Sequence, residues 1–352
     1  MRFLIQSGKT LLVSGPASLK LQEGEANVFG APLKPQQRLI VKKEKQFAIE
    51  IIKEATIEGE FGERATYLEI DDTTIPKSWF EAANTFQKSN NKKLLVIGST
   101  DTGKSTLCTF LVNNILKFKQ SVALLDADIG QSDLGPPGTL GLSIINKPYI
   151  ESDNLNIDSM IFVGKTSPSS VTEKVINGIS KLENCIQKGT SIVINTDGWI
   201  LDTEAIAYKL RMIRQLDPSM TIILNEEKEL YDIFESNQPF MRIQVPKFIK
   251  TRGREDRKKI REYHYKKYLR NAIHTNFSLN GIMIEGLLSN RIEGGEILGF
   301  LDLNGFLIGI GILEYINRRR QILRAYTNVN ARNVTTIECG NIRLMYDGSE
   351  ID

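Results

Sequence analysis

Cysteine and histidine are scarce in this chain of 352 residues. Three cysteines, Cys108, Cys185 and Cys339, lie far apart, and His264 and His274 are the two histidines. Neither the paired spacing of a zinc site nor a disulfide framework can be assembled from them, so no structural metal is expected and the compartment reads as reducing. Long apolar runs are missing too. None approaches the ~20 residues that span a bilayer, and Gln6, Ser7, Gly8 and Lys9 interrupt the apolar start before a signal-peptide core could form. The expectation is a cytoplasmic protein without a membrane partner. Internal repeats and low-complexity segments are absent as well, and charge of one sign is slight, the formal net charge being +3.

That small net charge is unevenly placed. Between Lys247 and Arg270 eleven lysines and arginines face three acids, so this stretch carries +8 and the remainder −5. A solvated helix face and a surface turned toward a polyanion both fit such a run. With 41% hydrophobic and 25% charged residues the chain can bury enough core for two or three domains.

Residues 1–88 read as a small β domain: short runs such as SLKLQ and RLIVKKEKQFAIEI alternate apolar and polar side chains between turn residues. After the polar break KSNNKK, apolar strands alternate with amphipathic helices. Strands are predicted at Leu94–Ile97, Val122–Asp126, Met160–Val163, Ser191–Asn195, Thr221–Leu224 and Arg242–Val245, with helices near 104–118, 171–187, 203–215 and 227–236. Continuously apolar strands separated by helices imply an α/β fold, a parallel sheet covered on both faces, over residues 89–276. From 277 to 352 glycine-rich turns and β patterning return, which predicts a second small β-rich domain.

The motif that carries chemistry is LLVIGSTDTGKST, an apolar strand running through Gly98, Ser99, Thr100, Asp101, Thr102, Gly103, Lys104, Ser105 and Thr106 into a helix. A glycine-rich turn at a helix N-terminus aims successive backbone N–H groups at a polyphosphate. Lys104 then reaches the β- and γ-phosphates, and Ser105 ligates Mg²⁺. ATP and Mg²⁺ are therefore the expected ligands. The next strand ends in Asp126-Ala-Asp128-Ile-Gly-Gln131, which puts two carboxylates at the sheet edge that also bears the phosphate loop. One could hold the metal while the other accepts a proton; a strand-end turn would account for one aspartate more readily than for two followed by Gly-Gln. A third strand ends in Thr196-Asp-Gly-Trp199, where the indole either packs beneath a helix or offers a stacking face for a base. Finally, Arg252, Arg254, Arg257 and Arg261 lie at 250–261, where a nucleotide kinase carries its lid. Arginines there neutralise charge on a transferring phosphoryl group, and spacing puts Arg257 and Arg261 on one helix face.

Taken together, the phosphate loop, the Asp-x-Asp-x-Gly-Gln segment at 126–131 running on to Thr139, Val163–Pro168, Thr196-x-Gly-Trp199 and Arg252-x₄-Arg257 resemble the polynucleotide 5′-hydroxyl kinases of RNA processing, in particular their archaeal members. The resemblance implies ATP-dependent phosphorylation of the 5′-hydroxyl end of RNA or DNA, with RNA-processing proteins as partners. It further implies that the N-terminal domain helps to hold adenine, that Gln131 and Thr196 help to place the acceptor end, that Trp199 stacks on a terminal base and that Arg252 and Arg257 act in catalysis. Gly253 stands where the family often has serine, which leaves Arg252 and Arg254 as alternatives. Asp128, nearer Gln131, is assigned as the base and Asp126, with Ser105, to the metal shell. Two other classes share the phosphate loop: a phosphotransferase or NTPase acting on a small alcohol or water, and an ATP-binding scaffold subunit.

Overall fold

The structure, a computed structural model, describes residues 1–88, 93–224, 240–286 and 294–351. Its centre is a seven-stranded sheet in the order Ser159–Phe162, Thr139–Ile145, Val122–Ala127, Ser191–Thr196, Lys93–Gly98, Met220–Leu224, Met241–Ile243. The last five of these run parallel. Because side chains alternate across a strand, the apolar run after Lys93 feeds two cores. Leu95 and Ile97 pack with the helices Thr172–Glu183 and Thr203–Leu216 on one face. Leu94 and Val96 pack on the other with Lys77–Lys88 and Lys104–Ile115. The predicted helix near 227–236 lies outside the described residues.

One edge of the sheet differs from the expectation. Thr139–Ile145 is an additional strand, antiparallel to Val122–Ala127 and to Ser159–Phe162. The turn Gly135-Pro-Pro-Gly138 returns the chain directly, without the crossover helix that a parallel neighbour requires.

Residues 2–70 form a seven-stranded sheet whose long members are Ala17–Val28 and Gln46–Phe61. Leu19, Leu21 and Val28 turn inward with Ile49, Ile51 and Ile57. Helix Lys77–Lys88 leaves this sheet and buries Trp79 and Phe86 in the central core. A third seven-stranded sheet begins at Ile273, slightly ahead of the expected residue 277. It packs on the edge strand Ser159–Phe162, where Phe162 meets Ile297 and Leu301, and it takes Tyr265 and Leu269 from helix Arg254–Tyr268 into the same cluster.

Candidate active site

The phosphate loop joins the end of strand Lys93–Gly98 to the start of helix Lys104–Ile115. Gly103 has φ 93°, a conformation that a side chain would strain, and Asp101 adopts φ 59°. The Thr102 hydroxyl and the Lys104 ammonium both donate to the Ser99 carbonyl at 2.8 Å, so the loop is already closed around the space a phosphate would take. Burial lowers the pKa of Lys104, and the Asp128 carboxylate opposes that shift.

The two carboxylates differ sharply in surroundings. Asp126 is buried, and its Oδ2 accepts from the Asp133 N–H at 2.6 Å, the Leu134 N–H at 3.2 Å and the Ser132 hydroxyl at 3.3 Å. Its Oδ1 accepts from the Asp128 N–H at 3.2 Å and from Asn195 Nδ2 at 2.9 Å. Burial, with Asp133 and Asp128 beside it, pushes its pKa up to about 7, against the pull of the Asp133 N–H and Asn195. Asp128 is partly open, and its two bonds, from the N–H groups of Gly130 at 3.1 Å and Gln131 at 3.0 Å, both fall on Oδ1. Burial and Asp197 raise its pKa while Lys104 lowers it, the net direction being upward. A carboxylate with one oxygen pinned by backbone and a raised pKa suits proton acceptance.

Asn195 sits between Asp126 and Ser105, with its Nδ2 3.5 Å from the Ser105 hydroxyl. A hydroxyl and a carboxylate bridged by one amide are hard oxygen donors of the kind Mg²⁺ takes alongside substrate phosphates. Ser105 and Asp126 are the residues that would hold the ion, Ser105 through its hydroxyl and Asp126 through a carboxylate already oriented by five donors.

The lid meets the phosphate loop through Asp101. Its Oδ2 accepts from the Arg252 N–H at 3.0 Å and pairs with Arg257 Nη2 at 2.9 Å. The Nε–H groups of Arg252 and Arg257 are buried with no partner among the described residues, which leaves both as donors for a phosphate oxygen. Arg254 is exposed at the start of the helix, so the geometry favours Arg252 over it. Arg261 is committed elsewhere: it makes a bidentate pair with Glu350 at 2.5 and 2.7 Å. One helix face therefore serves two neighbours. Gln131 Nε2 donates to the Arg257 carbonyl at 3.3 Å, and its Oε1 is buried without a partner among the described residues.

Thr196 departs from its expected role. Its side chain is fully buried and its hydroxyl donates to the Val96 carbonyl at 2.9 Å, so it ties its strand to the phosphate-loop strand and presents nothing to an acceptor. The turn that follows does approach the site: a Cβ on Gly198 would lie 2.6 Å from the Thr100 hydroxyl oxygen. Trp199 is half-buried there. Its ring lies 5.9 Å from Tyr208 at 30°, and its indole N–H donates to Asp202 at 2.6 Å.

Residues 98–271 match the family model described as mRNA cleavage and polyadenylation factor CLP1 P-loop. That span carries the family's P-loop domain. It is 26% identical to a polyribonucleotide 5′-hydroxyl-kinase of Pyrococcus abyssi over 74% of this chain and 89% of that protein. A second polyribonucleotide 5′-hydroxyl-kinase, from Methanocaldococcus jannaschii, is likewise 26% identical, over 79% and 94%. The fold is that of Clp1p as described in a Clp1p–Pcf11p complex, with TM-score 0.77, 12% identity and 97% of each chain covered.

Three features of the site escaped the sequence reading: the Asn195 bridge, the Asp101 latch and the buried Lys209, which pairs with Asp197 at 2.8 Å. Lys209 had a signal. It interrupts an apolar stripe of Ala205, Tyr208, Met212, Ile213 and Leu216 at helical spacing.

Proposed function

We propose that this protein transfers the γ-phosphoryl group of ATP to the 5′-hydroxyl end of RNA. The triphosphate lies in the turn from Gly98 to Thr106, held by backbone N–H groups at the start of helix Lys104–Ile115 and by Lys104. Ser105 and Asp126 would hold Mg²⁺, which would supply charge neutralisation on the phosphates. The acceptor oxygen forms its bond to the γ-phosphorus as the bond to the bridging oxygen of ADP breaks. Asp128 takes the hydroxyl proton late, because an alcohol is scarcely ionised at neutral pH. Arg252 and Arg257 turn their free Nε–H groups to the equatorial oxygens. Gln131, linked to the lid through the Arg257 carbonyl, helps to place the acceptor.

The observation that carries the choice of a nucleic-acid end is the close packing of the Gly198 turn on Thr100, which brings a half-exposed tryptophan beside the phosphate loop. Phosphate chemistry has no use for an indole; a terminal base does. The relatives named as polyribonucleotide kinases support RNA as the acceptor. A cytoplasmic location and RNA-processing protein partners belong to the same proposal. Among the described residues no helix is long and apolar enough to cross a membrane.

The test is Trp199→Ala, assayed with ATP and a 5′-hydroxyl oligoribonucleotide. Loss of a stacking contact of ~1–3 kcal/mol raises the acceptor KM roughly 5- to 150-fold and leaves the KM for ATP unchanged. A large fall in Tm with both Michaelis constants unaltered would make Trp199 a packing residue and remove the reason for preferring a polynucleotide over a small alcohol.

A further inference from the structure

A fully buried lysine beside a kinase site calls for a physical reason. Lys209 lies on helix Thr203–Leu216 with no exposed surface, and its ammonium donates to Asp197 Oδ2 at 2.8 Å and to the Asp197 carbonyl at 3.1 Å. Asp197 is itself buried and heads the turn that carries Trp199. Its Oδ1 accepts from the Trp199 N–H at 3.0 Å, and its Oδ2 also accepts from the Tyr208 hydroxyl at 3.2 Å. The Tyr208 ring in turn lies against the indole. At the far end of the turn Asp202 accepts from the indole N–H and, through its other oxygen, from the Ala205 N–H at 2.8 Å, which caps the helix. Every polar group of the turn from 197 to 202 named here is thus fastened to one helix.

An ion pair with both charges out of water is a poor source of stability, since apolar residues of similar volume commonly do as well. What such a pair can supply is a single conformation. We propose that Lys209 and Asp197 are positioning residues for the acceptor: the buried pair locks the turn so that Trp199 presents its face to the terminal base, setting acceptor affinity without touching ATP. This rests on the 5′-kinase reading above. Removing one charge would leave the other facing Lys104, on which Asp197 and Lys209 act with opposite sign. The informative change therefore removes both.

The double variant Asp197→Asn/Lys209→Met keeps the length of both side chains and deletes both charges, while the amide oxygen can still accept from the Trp199 N–H. It is compared with wild type for Tm, for the KM of a 5′-hydroxyl oligoribonucleotide and for the KM of ATP. The expected result is a cooperative melt with Tm at most a few degrees below wild type, an acceptor KM raised about tenfold or more and an ATP KM within about twofold. Tyr208→Phe, which deletes only the hydroxyl on Asp197, folds with the native core and raises the acceptor KM roughly threefold. It decides the matter if the double variant does not fold. An unchanged acceptor KM in the folded variants, or a rise shared equally by both substrates, overturns the positioning role. Wild-type protein that fails to phosphorylate the oligoribonucleotide overturns the kinase reading itself, a different result from wild-type transfer with insensitive variants.

Discussion

Two aspartates separated by one residue hold different positions in the same site, and the difference is set by hydrogen-bond donors. Asp126 takes three backbone N–H groups, a hydroxyl and an amide, whereas both bonds of Asp128 fall on one oxygen. Asp126→Asn replaces an acceptor by an N–H₂ group facing donors, so it should lower Tm as well as weaken the dependence of ATP affinity on Mg²⁺. Asp128→Asn should leave Tm and ATP·Mg²⁺ binding near wild type while kcat falls roughly 10²- to 10⁴-fold. Thermal melts and ATP titrations with and without Mg²⁺ check both, and the reverse pattern would exchange the two roles. At this scale the residues of the phosphate loop and the aspartates were legible because their chemistry depends on local spacing. Asn195 and Asp101 were not, since their partners, Asp126 and Arg257, come from other parts of the chain. Thr196 was misread for the same reason: the Val96 carbonyl that takes its hydroxyl belongs to a neighbouring strand.

The lid helix Arg254–Tyr268 divides its side chains between the phosphate loop and the C-terminal sheet. Arg257 reaches the phosphate loop through Asp101, while Arg261, one turn on, is pinned to Glu350 of the C-terminal strand and Tyr265 is fully buried. Arg257→Ala should therefore lower kcat by roughly 10²-fold or more with little change in Tm. Arg261→Ala should instead cost about 1–3 kcal/mol of stability, with kcat little altered in the folded protein. Steady-state kinetics beside thermal melts separate the two; equal losses of kcat would place both arginines on the phosphates. The helix was legible from its charge and position, but its two loyalties required the C-terminal sheet to be in place. Thr139–Ile145 escaped for a related reason: Thr139, Gly141 and Ser143 break up its apolar residues, and the two antiparallel partners that make it a strand flank it only in the folded sheet.

Across the whole molecule, Asp153 gathers three units. It sits in the central domain and pairs with Lys42 from the N-terminal domain and with Lys267 from the lid helix. Burial works against its charge, yet the bonds to Lys42 and the charge of Lys267 hold its pKa down at about 2. The folded value is depressed below the ~3.9 of an unfolded aspartate, so the contribution is fully present above about pH 4 and is lost as pH falls through about 2. Partial exposure of both lysines limits it to about 1 kcal/mol. Asp153→Asn should lower Tm at pH 7, with a gap to wild type that narrows as pH falls from about 4 to about 2; a gap independent of pH would mean that packing, not charge, joins the units there. Nearby, Lys250 at the base of the lid donates to the Lys43 carbonyl at 2.9 Å, so the N-terminal sheet, lid and phosphate loop close on one another. In the proposed reaction Lys104 stands at the centre of this convergence. The most direct measurement is the rate at which labelled γ-phosphate passes from ATP to a 5′-hydroxyl oligoribonucleotide, for wild type and for Lys104→Ala. The account predicts transfer by wild type and none above background by a variant whose Tm is near that of wild type; equal rates, or label released only to water by wild type, would contradict it.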